Sequence, residues 1–212
     1  MNVLFDQLFT SNKGSRIFLS FSESNKTLSY DEFLNEIKCM ASRLKKLGLV
    51  KGDRLVLQIE KSHHVFTIYG ACVQLGVIFI PINTSYTVVE VEYFLKDSEC
   101  NCFITTTKMQ KDLKSQVKKS SSIIETIDAD YNGSFFSDFD KNEPLDFVEE
   151  QDKEDIAAIL YTSGTTGRSK GAMLSSKNLL SNALTLSRSW GFTDSDILLH
   201  ALPIYHTHGL FV

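Results

Sequence analysis

The sequence predicts an α/β fold built on layered parallel sheet, and three observations carry that expectation. Short runs of branched apolar residues alternate with amphipathic stretches of about ten to fifteen residues, the rhythm of β-α-β units. Two of the amphipathic stretches open on a hydroxyl residue with glutamate three positions later, a pairing that satisfies two orphan N–H groups at a helix start. The chain has 212 residues, 42% hydrophobic and 23% charged, a composition able to bury a core and far from that of disordered, collagen-like or coiled-coil chains.

Each element follows in order. Ser29 and Glu32 form the first capping box, and Phe33, Ile37, Met40, Leu44 and Leu47 then fall on one helical face that Gly48 ends. After the Gly52-Asp53 turn, Arg54–Ile59 reads as a strand. Ser62 caps a helix reaching Leu75, with Gly76 as its stop. Val77–Ile82 is a nearly continuous apolar run, as in a strand covered on both faces. Thr87 and Glu90 make the second box, leading a helix through Phe94 and Leu95 into the strand Cys102–Thr105; a weaker helix then precedes the strand Ile123–Ile127. Between Asp128 and Asp155 eleven acidic residues stand against Lys141 and Lys153, with Pro144 among them, so this stretch reads as a solvated connection; nothing in it has the spacing of a calcium loop. The strand Ile156–Tyr161 resumes the rhythm, and Ile197–Leu202 reads as a further strand. The expected organisation is a first α/β subdomain with its acidic connection over residues 1–150 and the start of a second over 151–212.

Charge and cysteines exclude several functions. The net charge of −4 argues against the broad positive surface that nucleic-acid binding uses. Cys39, Cys72, Cys100 and Cys102 follow neither a zinc nor a disulfide spacing and read as reduced, packed residues. The first fifteen residues contain Asp6, no arginine and only a short apolar run, unlike a secretory signal or an organelle presequence. No apolar stretch approaches the ~20 residues of a membrane span. The expectation is a cytoplasmic protein with no membrane span and no nucleic-acid partner.

The informative stretch is Thr162-Ser-Gly-Thr-Thr-Gly-Arg-Ser-Lys-Gly171, which follows directly on a predicted strand. Glycines let backbone N–H groups approach a ligand, hydroxyls add donors, and lysine adds a mobile positive charge, a combination suited to a polyphosphate. A Walker loop needs glycine before the lysine and Ser or Thr after it. Ser169 and Gly171 stand there instead, so that reading fails.

Tyr161-Thr-Ser-Gly-Thr-Thr-Gly-x-x-Lys-Gly171 resembles the phosphate-binding signature of the adenylate-forming superfamily, which holds acyl-CoA synthetases, peptide-synthetase adenylation domains and luciferases. Thr27–Phe33 and Gly70–Ile82 resemble two earlier landmarks of the same superfamily. Ser169, where most members carry proline, together with Leu202-Pro-Ile-Tyr-His-Thr-His-Gly-Leu-Phe211, is similar to the malonyl-CoA synthetase branch. The resemblance implies a two-step ligase: ATP and malonate, or methylmalonate, give an acyl-adenylate, which coenzyme A converts to the thioester. It implies that Thr162, Ser163, Gly164, Thr165, Thr166, Gly167, Ser169 and Lys170 cradle the β- and γ-phosphates, with Lys170 as the catalytic cation and Thr165 or Thr166 as a magnesium ligand. Arg168 is either a phosphate partner or a solvated loop-tip residue. His206 matches the motif that faces the acyl-adenylate, His208 is its companion candidate at the substrate, and His63, His64 and His200 read as structural.

The superfamily's later Tyr-Gly-x-Thr-Glu block, ribose aspartate and lid lysine do not occur. The chain therefore reads as the N-terminal portion of a longer synthetase, unable to make acyl-CoA without its C-terminal remainder. A fatty acyl-CoA synthetase of the same superfamily is the alternative substrate reading, and a non-catalytic nucleotide-binding or assembly module is the alternative of another class.

Overall fold

Asn2 starts the first helix, α1 (Val3–Phe9), by accepting a hydrogen bond from the Phe5 N–H at 3.1 Å. The computed structural model describes residues 1–10, 14–22, 25–116, 122–139, 142–162 and 168–212. A small antiparallel hairpin, β1 (Ile17–Ser20) and β2 (Thr27–Ser29), precedes α2 (Tyr30–Lys46). Both expected capping boxes are present. The Ser29 hydroxyl accepts from the Glu32 N–H at 3.2 Å and the Glu32 carboxylate accepts from the Ser29 N–H at 2.8 Å. The face laid out by Phe33, Ile37, Met40 and Leu44 is buried, and Gly48 ends the helix at φ +88°.

The main sheet begins with β3 (Arg54–Leu57), α3 (His63–Leu75) and β4 (Ile78–Pro81). Gly76 stops α3 in the left-handed conformation, as expected; Ser62 occupies the N-cap, but its hydroxyl makes no capping bond. The chain continues through α4 (Val88–Asp97), started by the Thr87–Glu90 box, then β5 (Cys102–Thr105), α5 (Thr107–Gln116) and β6 (Ile123–Thr126). β7 (Ile156–Thr162) and β8 (Lys170–Ser175) complete a six-stranded sheet of order β6-β5-β3-β4-β7-β8. All neighbours are parallel except β7 and β8, so the expected parallel sheet carries one antiparallel edge. α6 (Ser176–Ser189) starts on a third capping box, Ser175 with Asn178, and the short α7 (Thr207–Leu210) follows.

Alternation along the strands builds two cores. Leu55, Leu57, Phe79 and Ile104 point to the face covered by α1, α2, α3 and α6, while Val56, Ile80 and Phe103 point to the face covered by α4 and α5. The four cysteines are free thiols; burial raises the Cys100 thiol to about 11, so it packs rather than reacts.

Two expectations are corrected. The acidic stretch 128–155 is a strap lying on the first core, with Phe135 at 0% exposure and Phe136, Phe139, Leu145 and Val148 packed beside it. Its anchors are backbone bonds: the Gln74 amide donates to the carbonyls of Leu145 (2.7 Å) and Phe147 (2.8 Å), and the Leu145 N–H donates to the Lys38 carbonyl at 3.1 Å. Most of its described carboxylates are exposed, and Asp146 pairs with Lys38 at 2.7 Å. The segment Ile197–Leu202 is not a strand. Among the described residues it pairs with neither sheet edge, and Ile197, Leu198 and Leu199 are 97%, 72% and 84% exposed. No described helix is long and apolar enough to cross a membrane.

Candidate active site

The glycine-rich loop connects a β-hairpin. Thr162 ends β7, Lys170 opens β8, and the two are cross-strand partners, so both ends of the loop emerge side by side. A Walker loop runs from a strand into a helix, and the topology thus agrees with its rejection on residue identity. Gly171 lies opposite Tyr161, where a Cβ would stand 2.8 Å from Ile159 Cγ2 and 3.4 Å from the Tyr161 ring; this close approach is what demands glycine.

Helix α4 clamps the base of the hairpin from one side. The Tyr93 hydroxyl donates to the Ser169 carbonyl at 2.7 Å, and the Arg168 guanidinium lies 5.6 Å from the Tyr93 ring centroid. One turn on, Asp97 accepts from the Tyr161 hydroxyl at 2.8 Å while the Tyr161 ring packs on Phe94 at 4.6 Å. Burial, then Asp97, pushes the Tyr161 phenol above its ordinary value, so it stays a proton donor. Thr162, Arg168 and Lys170 are exposed, and among the described residues neither cation has a carboxylate within 4.0 Å. A local excess of positive charge at the hairpin base suits an anion. Ser163, Gly164, Thr165, Thr166 and Gly167, and with them the expected magnesium ligands, lie outside the described residues.

The second half of the site follows from the strand order. β4 lies on one side of β3 and β5 on the other, so winding reverses at β3, and open α/β sheets bind ligands beyond the carboxyl ends of strands beside such a reversal. A cleft of about 260 Å³ stands there, lined by Leu57, Ile59, Pro81, Ile82, Ile204 and Tyr205 among others. Lys61, just after β3, donates to the carbonyls of His200 (2.6 Å) and Leu202 (3.0 Å) and so fastens the segment that forms the cleft's far wall. His200 Nε2 contacts the Gly209 carbonyl. Gly209 admits no side chain, because a Cβ would sit 1.9 Å from the Pro203 carbonyl oxygen.

His206 and His208 are exposed at the start of α7, with stacked rings 5.4 Å apart. His206 serves as the N-cap, its Nδ1 accepting from the His208 N–H at 3.5 Å. Among the described residues these histidines and the hairpin share no hydrogen bond or ring contact. Helix α4 and the turn before it link the two halves: Tyr93 meets the hairpin, while Tyr86 packs on Phe94 at 4.9 Å and lies near enough to Tyr205 for the two phenols to interact electrostatically.

Sequence reasoning found the loop and the histidine block but missed Tyr93, Asp97 and Lys61. Lys61 had a usable signal, since it follows the carboxyl end of a strand where α/β folds place ligand-facing groups. Tyr93 had none, because its partner lies 76 residues away.

The chain superposes on the crystal structure of ATP-bound MatB from Rhodopseudomonas palustris with a TM-score of 0.92 and 39% identity, covering 99% of this chain and 42% of that one. It is 30% identical over 167 residues to a malonate–CoA ligase of Arabidopsis thaliana, covering 77% of this chain and 27% of the relative. It is also 30% identical over 197 residues to a 2-succinylbenzoate–CoA ligase of Bacillus velezensis, covering 92% of this chain and 38% of the relative. The chain thus spans well under half the length of these proteins. The family model of AMP-binding enzymes matches residues 7–212, and the chain belongs to that family.

Proposed function

We propose that the protein carrying this chain is an ATP-dependent acid–thiol ligase that activates malonate, with methylmalonate as a second substrate. Residues 151–212 are taken as the opening of its second subdomain. The malonate carboxylate attacks the α-phosphorus of ATP, the bond to the bridging oxygen of the β-phosphate breaks, and pyrophosphate departs with that electron pair. The thiolate of coenzyme A then attacks the acyl carbonyl and AMP leaves. Lys170 and Arg168 compensate charge gathering on the departing pyrophosphate, and the Thr162–Gly167 backbone and hydroxyls supply donors. Thr165 or Thr166 would hold magnesium, which would supply further screening of the phosphate charge. His206 and His208 orient the acyl group.

The single observation that carries this reading is the hairpin base, where Arg168 and Lys170 are exposed on either side of the Ser169 carbonyl that Tyr93 holds, in a chain 39% identical to an ATP-bound homologue. The substrate choice is supported by Ser169 and the Tyr205–His208 block and by the malonate–CoA ligase among the relatives. The mostly apolar lining of the 260 Å³ cleft favours a second reading, a simple fatty acid.

In the complete enzyme, Lys170→Ala should slow adenylation by ~10²–10³ while leaving transfer from a supplied acyl-adenylate nearly unchanged. Equal losses in both half-reactions, read by single-turnover kinetics, would remove the phosphate role. Malonate should exceed octanoate in kcat/KM by at least ~10², because a site built for a second carboxylate rejects a substrate that leaves its polar groups unpaired. Equal use of both acids would establish the fatty-acid reading, and absence of adenylate formation from any acid would favour the non-catalytic module.

A further inference from the structure

A second cluster of functional groups lies on α2 and at the start of α3, apart from the hairpin and the cleft. One ligand atom each from Glu36, His63 and His64 fall within 4.8 Å of one another. The Glu36 Oε2 to His63 Nε2 distance is 3.5 Å, and the two imidazole rings lie 3.9 Å apart, centroid to centroid. Phe21, Tyr131 and Phe136 stand around these rings at 4.9 to 5.2 Å in their nearest pairs, closing the site in an aromatic wall.

The hydrogen-bond inventory of the cluster is one-sided. Glu36 Oε2, His63 Nδ1 and His64 Nδ1 are all buried and none has a hydrogen-bond partner. Buried polar atoms normally find partners, and each one left unpaired costs about 1–3 kcal/mol. Here one such atom falls on each of three neighbouring residues. An ordinary salt bridge does not account for them. Burial holds both imidazoles below their ordinary values, His64 to about 3, so they are neutral near pH 7, and burial, then the Glu32 charge, raises the Glu36 carboxyl. What converges is two neutral imidazoles and a carboxyl oxygen, the lone-pair donors of a divalent cation of borderline softness. Zinc bonded at about 2.0–2.1 Å in a tetrahedron sets its donors about 3.3 Å apart. The Glu36–His63 spacing already approaches that, and the other donor separations, all within 4.8 Å, draw in as the ion binds. Lys26, whose charge acts on His63, opposes a cation, but less directly than three ligands favour one.

We propose that Glu36, His63 and His64 bind a zinc ion, with water completing a four-coordinate shell. The bound ion fastens the first turn of α3 to α2. That turn begins directly after Lys61, whose bonds to the His200 and Leu202 carbonyls form the wall of the cleft, so metal occupancy braces the cleft from behind. The proposal does not depend on the ligase reading.

The test uses the whole protein, stripped with a chelator and titrated with zinc against a chromophoric competitor. The His206→Ala/His208→Ala variant serves as background, because that exposed pair is a competing zinc ligand. One equivalent should bind, and bound cobalt should give the intense visible absorption of a tetrahedral site. Zinc should also raise the unfolding midpoint. Glu36→Gln and His64→Gln should each weaken binding by ~10² or more while leaving the metal-free unfolding midpoint within a few degrees of the parent. Zinc binding that survives both substitutions, or an absence of stoichiometric binding in a folded parent, overturns the site. If Glu36→Gln fails to fold, His63→Gln takes its place with the same expected loss.

Discussion

The acidic strap and the apolar run near the end of the chain are opposites twice over. Residues 128–155 are rich in carboxylates and lie against the core, with Phe135 fully buried. Residues 197–202 are rich in leucine and isoleucine and stand in solvent, with Ile197 at 97% exposure. Mean hydropathy ranks the two in the wrong order because burial is decided by available neighbours. The strap needs only one aromatic cluster and a few backbone anchors to lie down, and it keeps most of its described carboxylates exposed. The run offers side chains suited to a strand, but among the described residues no other strand pairs with it, only Lys61 reaching the carbonyls of His200 and Leu202, and a strand without a partner strand does not form.

The sharpest way to break this contrast is to remove the strap's anchor residue. Phe135 fills a fully buried position beside Phe136 and Phe139, with Arg43 5.8 Å from its ring centroid. Phe135→Ala should cost about 3–5 kcal/mol of unfolding free energy, the loss usual for truncating a buried phenylalanine. Urea titration measures it, and a loss under 1 kcal/mol would mean that the strap is solvated after all.

A smaller effect is expected where backbone bonds hold the strap. Gln74 is fully buried, its side-chain amide donates to two strap carbonyls, and its backbone carbonyl accepts from the Glu149 N–H at 2.8 Å. Gln74→Leu keeps the volume and strands both carbonyls, so about 1–3 kcal/mol should be lost. Amide exchange should quicken over residues 145–149 while the amides of β3 and β5 keep their protection. Uniform acceleration across the sheet would show that Gln74 supports the core rather than the strap.

Acid should loosen the same contact. His64 packs on Phe136 and Tyr131 of the strap, both at 4.9 Å, and burial, reinforced by His63, lowers its imidazole from 6.5 to about 3. The unfolded chain takes up this proton near pH 6.5, whereas the folded chain resists it until about 3. Between those values the unfolded state binds more protons, so stability falls as pH drops. Glu36, raised by burial, acts in the opposite sense, and the difference between parent and His64→Phe isolates the histidine. With chelator present, the variant should lose less stability than the parent between pH 6.5 and 4, by an amount comparable to the Gln74 effect. Parallel pH curves would mean that His64 titrates normally.

What could be read from the sequence divides along physical lines. Local signals were legible: the boxes at Ser29 and Thr87, the stops at Gly48 and Gly76, and the alternation of β3 to β6 rest on neighbours within four positions. The third box at Ser175 escaped because asparagine replaces the glutamate that marks the pattern. The loop was legible from its residue types, and its hairpin setting was not, since β8 pairs back on β7 only through a register that composition does not reveal. The α4 clamp was illegible for the same reason, as Tyr93 is an ordinary helix aromatic until the fold brings Ser169 to it.

The smallest effect is expected in the exposed run. Ile197 and Leu199, at 97% and 84% exposure, already meet water in the folded chain, so replacing them leaves the apolar area buried on folding almost unchanged. Burial contributes about 25 cal/mol per Å² only where area leaves water, and surface substitutions away from caps and strained positions usually stay within ±0.5 kcal/mol. Ile197→Ser with Leu199→Ser in the 212-residue chain should therefore shift unfolding by no more than about 0.5 kcal/mol, against several for Phe135→Ala. A shift above 1 kcal/mol in urea would place the run against a surface and erase the contrast with the strap. In the complete enzyme the same double substitution distinguishes two situations. No effect there as well would leave the run solvated in the whole protein, whereas a loss of 2 kcal/mol or more would mean that residues beyond this chain cover it, as burial of two large aliphatic side chains requires.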